Sequence, residues 1–226
     1  MTVNSGFRKA KDMPCNCCEI TDNTFGEAEA KSNLKMYRRR GPAKQTRLIL
    51  GAIRSLGIKG AALLDIGGGI GAIHHELLKD VAREATHVDA SSAYLKEARK
   101  ETERQGNTER VKFVHADFTD AASDLPPADV VTLDRVVCCY PDFRGLLKAA
   151  ADHSQRVIAL TYPRETWYMR IGFGVMNFFQ RLMKDPFRVF LHPVSEMESL
   201  LKKEGFVKVT VQRLFIWEMA MYQRTS

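Results

Sequence analysis

From residue 61 onward, short apolar runs alternate with segments whose apolar residues recur every three or four positions. Residues 61–66 read as a buried strand. Residues 70–81 read as a helix with Ile70, Ile73, Leu77, Leu78 and Val81 on one face, and 86–89 as a second strand. Ser91 is placed to cap a helix running to Gln105, with Gly106 at its end. Residues 111–115 and 129–133 form further strands, 142–152 a helix and 156–161 a fifth strand. A long amphipathic segment follows, with Trp167, Ile171, Val175, Phe178, Phe179 and Leu182 opposed to Arg170, Arg181 and Lys184. Its apolar side suits either a packing helix that also walls a pocket, or a surface for an apolar substrate or a membrane. The packing helix is the expectation. Ser195-Glu196-Met197-Glu198 fits a capping box for a helix burying Met197, Leu200 and Leu201 and closed by Gly205. Residues 207–211 and 214–222 complete the chain as a hairpin. Strands interleaved with helices predict an α/β fold. It is a doubly wound, mainly parallel seven-stranded sheet with an antiparallel last strand.

Before this alternation, residues 25–40 are charged and helix-tolerant, ending in Tyr37-Arg38-Arg39-Arg40. Gly41-Pro42 resets the chain, with Pro42 suited to the first turn of a helix carrying Ile49, Ala52, Ile53 and Leu56 and stopped by Gly57. No repeat or linker is visible. The expectation is an N-terminal arm and cap helix over 1–40 and one domain over 41–226.

At the first strand-to-helix junction stands Asp65-Ile66-Gly67-Gly68-Gly69-Ile70-Gly71, four glycines in five residues. Glycine has no Cβ to obstruct a ligand, and a helix start offers backbone donors, so this junction reads as a cofactor loop. Gly67, Gly69 and Ala72 also satisfy the dinucleotide fingerprint, which leaves the choice of cofactor to the acidic residues downstream.

Those residues stand at strand ends, where doubly wound sheets gather ligands. Asp89, followed by Ala90, lies where a carboxylate accepts from ribose hydroxyls. Asp117 before Phe118 can take an adenine amino group, with the Phe118 ring as a stacking or edge contact. Asp65 and Asp134, the latter before Arg135, complete the set.

With these residues in order, the sequence resembles the class I S-adenosylmethionine-dependent methyltransferases over about residues 40–222. The resemblance implies that Asp65, Gly67, Gly68, Gly69 and Gly71 form the first motif and that Asp89 with Ala90 holds the ribose. It further implies that Asp117 and Phe118 hold the adenine, and that Asp134 and Arg135 line the methionine end. The implied cofactor is S-adenosyl-L-methionine, and the implied fold is the Rossmann-like methyltransferase sheet. Within that class, Leu133 to Pro141 and Thr161-Tyr162-Pro163-Arg164 before a long helix resemble the magnesium-protoporphyrin methyltransferases. Where those carry a histidine ahead of the Tyr-Pro pair, this chain has Cys139.

Methyl transfer from a sulfonium needs alignment and dryness, and a carboxylate or thiolate acceptor needs no base. That suits a chain without an obvious His/Asp pair; His74 and His75 read as helix-surface or packing residues. The catalytic candidates are Cys139 and Tyr140. On the substrate side stand Arg164 as a carboxylate clamp, Trp167 as an apolar wall, and Tyr37. The expected acceptor is a small molecule, either a carboxylate or an aromatic.

Composition adjusts this picture only slightly. Thirty-four basic residues against 27 acidic give a net charge of +7, suited to an anionic substrate or a soluble surface. No apolar run reaches membrane length and no secretory h-region follows Met1. A cytoplasmic monomer or homodimer is therefore expected, with peripheral membrane contact as an open option. Among the five cysteines, Cys15 and Cys18 have C-x-x-C spacing without a second pair, so no metal site is assigned. Three rivals stay open: a nucleic-acid methyltransferase using Arg38-Arg39-Arg40, an NAD-binding oxidoreductase, and a metalloid-handling protein using Cys15, Cys17, Cys18, Cys138 and Cys139. The first lacks an Asp/Asn-Pro-Pro-aromatic tetrapeptide at Asp134-Arg135-Val136-Val137, so nucleic acid is not the expected partner.

Overall fold

In the computed structural model, which describes residues 26–185 and 187–225, the apolar runs pair into one seven-stranded sheet. The strands are β1 (Ala61–Ile66), β2 (Ala82–Asp89), β3 (Val111–His115), β4 (Ala128–Asp134), β5 (Ser154–Pro163), β6 (Phe206–Arg213) and β7 (Trp217–Arg224). Their spatial order is β3-β2-β1-β4-β5-β7-β6. Neighbours from β3 through β5 pair in parallel, and β7 runs antiparallel between β5 and β6. The doubly wound, mainly parallel sheet with its antiparallel last strand is thus as read from the sequence.

The helices are α1 (Glu27–Arg40), α2 (Lys44–Ser55), α3 (Ala72–Leu77), α4 (Ser92–Arg104), α5 (Phe118–Ala121), α6 (Phe143–His153), α7 (Trp167–Leu182) and α8 (Val194–Lys203). Successive strand residues point to opposite faces, so a sheet covered on both sides needs apolar residues at nearly every position. Leu64, Ile66, Val131, Leu133, Ile158 and Leu160 bury against α6 and α8 on one face. Leu63, Val130, Val157 and Ala159 bury with Ile49 and Ile53 of α2 and Leu77 of α3 on the other. A third cluster joins Ala30, Leu34 and Tyr37 of α1 to Ile70 of the glycine loop and to Ala93 and Tyr94 of α4. That packing lays α1 across the loop.

Several boundaries depart from the sequence reading. Strand β2 begins at Ala82 rather than Thr86, because Arg83 and Glu84 are edge-exposed and break the apolar pattern. Helix α3 ends at Leu77 rather than residue 81. Lys79 N–H turns to Glu76 O and Asp80 N–H to Leu77 O, bonds that tighten the end into short-range turns. Pro42 precedes the cap residue Ala43 instead of lying in the first turn of α2. No Ser195 capping box forms: α8 starts at Val194 after Pro193, and Val194 N–H donates to the Glu165 carboxylate at 3.3 Å.

The largest departure is α7. Of its residues only Met169 is buried, while Trp167 is 73% exposed, Phe178 64% and Leu182 70%. The expected packing helix therefore shows its apolar side to solvent. Among the described residues, no helix is long and apolar enough to cross a membrane. Cys15, Cys17 and Cys18 lie outside the described residues.

Candidate active site

The parallel register brings the ends of β1, β2, β3 and β4 to one edge of the sheet. The glycine loop leaves β1 there. Gly67, Gly69 and Gly71 all have positive φ, at 58°, 57° and 82°, which L side chains rarely adopt. A Cβ at Gly67 would also stand 2.5 Å from Val136 Cγ2. The loop's amides are already committed. Gly67 N–H donates to Val88 O at 2.7 Å, Gly69 N–H to Asp89 Oδ2 at 2.8 Å and Gly71 N–H to Gly68 O at 2.9 Å. Those donors hold the turn and Asp89 in place.

Asp89 is 8% exposed and accepts from Gly69 N–H through Oδ2 and from Ser91 N–H through Oδ1, each at 2.8 Å. Burial raises its pKa from 3.8 to about 6, against the pull of these two amides. Each oxygen keeps a further lone pair for an incoming hydroxyl. Ala116 N–H donates to Asp89 O, tying the end of β3 to that of β2. Ala90 directs its carbonyl to His115 Nε2 at 3.0 Å.

Asp117 caps α5. Its Oδ1 accepts from Thr119 N–H and Thr119 Oγ1 at 2.9 Å and from the Tyr140 hydroxyl at 2.6 Å. Its Oδ2 is buried and has no hydrogen-bond partner, an acceptor short of one donor. Two sequence expectations change at this point. The Phe118 ring is 4% exposed and turned into the core against His153, so it does not face an adenine. Tyr140 spends its hydroxyl on Asp117 and Thr119, and burial followed by the Asp117 charge pushes its pKa up. It supports Asp117 and is not set up to move a proton. Tyr140→Phe is accordingly expected to weaken binding of an adenosyl ligand about three- to tenfold, read by calorimetry, because a charge-assisted hydrogen bond to Asp117 is lost.

Beyond β4, Asp134 accepts from Thr46 Oγ1 and Thr161 Oγ1, both at 2.5 Å. The next residue, Arg135, stands at φ 62°. A non-glycine residue there costs about 1–2 kcal/mol. Its N–H donates to Thr161 Oγ1 at 2.9 Å, and its carbonyl receives the thiols of Cys138 at 3.4 Å and Cys139 at 3.6 Å. The two sulfurs lie 3.7 Å apart. The Cys138 hydrogen bond and nearby Arg135 hold the Cys139 thiol below its ordinary pKa despite burial, while Cys138 is pushed up. Strain of this kind beside a strand end marks a site.

The remaining predicted residues are spread more widely. Asp65 is fully buried behind the glycine loop, with Oδ1 accepting from Thr132 at 2.8 Å, so it braces the loop from below. Tyr37 donates its hydroxyl to Glu76 of α3 at 2.9 Å. Arg164 sits at the end of β5, where its N–H donates to Ile216 O. Its guanidinium reaches only Phe215 O, at 3.5 Å, among the described residues. His74 and His75, expected on a helix surface or in packing, are wholly buried. Sequence reasoning missed Tyr94, whose ring lies 3.5 Å from where a Gly69 Cβ would be and whose hydroxyl accepts from Asn33 at 2.5 Å. Its position three residues beyond the Ser91 cap was the available signal.

Residues 63–156 match a family model described as a methyltransferase domain. That stretch is a methyltransferase domain. The match covers the glycine loop, Asp89, Asp117, Asp134 and Cys139, and bears out the S-adenosylmethionine-dependent class read from the sequence. No curated protein sequence matches the chain. Among solved structures, this chain is similar to magnesium protoporphyrin IX methyltransferase from Synechocystis PCC 6803 with bound SAH. That pair shares 17% identity and a TM-score of 0.71, over 93% of this chain and 100% of that one. An O-methyltransferase family protein from Burkholderia thailandensis superposes with a TM-score of 0.64 at 16% identity, over 92% of this chain and 62% of that one. N-methyltransferase NodS from Bradyrhizobium japonicum, in complex with SAH, gives 0.64 at 13%, over 88% and 98%. At such identities these likenesses establish the shared fold.

Proposed function

We propose that the protein is a cytoplasmic enzyme that transfers a methyl group from S-adenosylmethionine to a small molecule carrying a carboxylate on an apolar or aromatic body. The observation that carries the cofactor assignment is the pair of acids at adjacent strand ends. Asp89 keeps lone pairs for ribose hydroxyls, and the buried Asp117 Oδ2 lacks the donor that an adenine amino group provides. A dinucleotide would instead need free loop amides and a longer helix start for its pyrophosphate. Here the amides of Gly67, Gly69 and Gly71 are occupied, and α3 has six residues.

The cofactor brings the electrophilic methyl group; the chain's work is to align the acceptor and keep water out. Arg164, at the end of β5, offers a guanidinium fork to a carboxylate. The exposed stripe begun by Trp167 three residues later offers an apolar cover for the rest of the acceptor. A carboxylate nucleophile is already ionised, which agrees with a Tyr140 held protonated by its neighbours.

Titrating S-adenosylhomocysteine and, separately, NAD into the full chain tests this reading. One equivalent of S-adenosylhomocysteine should bind with measurable heat and NAD should give none. Heat from NAD alone, or from neither, would remove the assignment.

A further inference from the structure

Among the described residues, four of the seven buried polar side-chain atoms without a hydrogen-bond partner lie in one place under the glycine loop: Asp65 Oδ2, His74 Nε2, His75 Nδ1 and His87 Nε2. The residues come from three elements, β1, α3 and β2, and all four side chains are buried. Within the group, three donor atoms converge. His74 Nδ1 is 3.5 Å from Asp65 Oδ2, His87 Nδ1 is 4.0 Å from it, and the two ring nitrogens are 3.1 Å apart. We propose that Asp65 Oδ2, His74 Nδ1 and His87 Nδ1 bind a divalent transition-metal ion of the zinc type, a buried structural ion seated directly beneath Gly68.

The dimensions fit. A point equidistant from the three atoms lies about 2.1 Å from each, and zinc takes nitrogen and carboxylate oxygen at about 2.0–2.2 Å. Two imidazoles and one carboxylate form a ligand set suited to zinc and its neighbours, and too rich in nitrogen for magnesium or calcium. The chemistry of the group without a cation is unfavourable. The two Nδ1 atoms share one proton between them, while Asp65 Oδ2 has no hydrogen-bond partner. Leaving the Asp65 oxygen buried and unpaired costs about 1–3 kcal/mol, more when it is charged. A dication gives Asp65 Oδ2 a partner and takes a lone pair from each Nδ1.

Gly68 adds a second, independent observation. A Cβ built there would stand 2.7 Å from Asp65 Oδ2 and 2.7 Å from His87 Nδ1, so the missing side chain leaves open the volume beside two of the three donors. Unlike its neighbours, Gly68 does not have positive φ, so backbone conformation gives no reason for glycine at this position. His75 stands outside the set, since its Nε2 pairs with Ile70 O at 3.2 Å. The His87 ring packs against Phe113 at 5.2 Å, which fixes its orientation.

The full chain, stripped with a chelator and titrated with Zn2+ alone, should bind one equivalent with a Tm rise of roughly 5–10 °C at a hundredfold excess over Kd. Asp65→Asn should lose that equivalent while keeping the Thr132 hydrogen bond, and His87→Gln should lose it too. The triple variant Cys15→Ser, Cys17→Ser, Cys18→Ser should retain it. Substitution with Co2+ should give the weak visible bands of a nitrogen and oxygen set, without the intense charge-transfer band of a thiolate. That spectrum of the unsubstituted protein decides the matter should the buried variants fail to fold. No zinc equivalent, a thiolate band, or a site lost with the three cysteines would each overturn the proposal. Metal content is read independently of cofactor binding, so failure here would leave the methyl-transfer reading untouched.

Discussion

Asp89→Ala should lower affinity for S-adenosylhomocysteine about 10²- to 10³-fold. The estimate follows from removing two hydrogen bonds to a charged acceptor, at about 1.5–3 kcal/mol each, with some recovery through water. The carboxylate also holds Gly69 N–H and Ser91 N–H, so the substitution loosens the loop as it removes the ribose partner. The effect carries a pH signature. Burial raises Asp89 to about 6, so the empty folded protein binds this proton more tightly than the unfolded chain does. Asp89's contribution to the stability of the empty fold is then fully present below 3.8 and lost as pH rises through about 6. Ribose hydroxyls need the ionised acceptor, so cofactor affinity runs the other way and falls as pH drops below about 6. In the metal-free protein Asp65, raised to about 6 mainly by burial, adds to the stability trend. Asp89→Asn should flatten the binding profile. Calorimetric titrations between pH 5 and 8 check this (about one pH unit on either side of the midpoint is needed). A wild-type profile that is flat across that range would refute the role given to Asp89.

Gly71→Ala is expected to destabilise the fold by about 2–4 kcal/mol, a Tm loss of roughly 5–15 °C. Two costs combine. Gly71 sits at φ 82°, where an L side chain is strained by about 1–2 kcal/mol. Its Cβ would also lie 2.6 Å from His74 Nε2 and 2.8 Å from His75 Nε2, inside rings that burial prevents from moving aside. Such overpacking costs about 1–3 kcal/mol. Thermal unfolding followed by circular dichroism measures it, and a loss below 2 °C would show that the buried histidines can move.

What the sequence discloses depends on whether neighbours lie within one element or across several. The central strands were legible because a sheet covered on both faces needs near-continuous apolar residues, and 61–66 and 129–133 are such runs. The positions of Asp89 and Asp117 were legible because one ends β2 and the other lies two residues past the end of β3. The start of β2 was hidden by exposed Arg83 and Glu84. Contacts between elements were not legible. Phe118 shares a turn with Asp117 yet faces the core, and Tyr140 joins Asp117 across 23 residues. Asp65, His74 and His87 meet although nothing in their spacing shows it. Helix α7 was read by its moment as packed, since amphipathicity reports that an apolar side exists and not what covers it.

The placement of β7 between β5 and β6 constrains how the polypeptide is assembled. β6 reaches the sheet only through β7, the later of the two to be synthesised. On a ribosome, β5 must therefore wait with an unpaired edge until both segments have emerged, and a product ending near residue 216 would carry an unattached β6 beside that open edge. Such truncated chains are a route to edge-to-edge aggregation rather than to a smaller working domain.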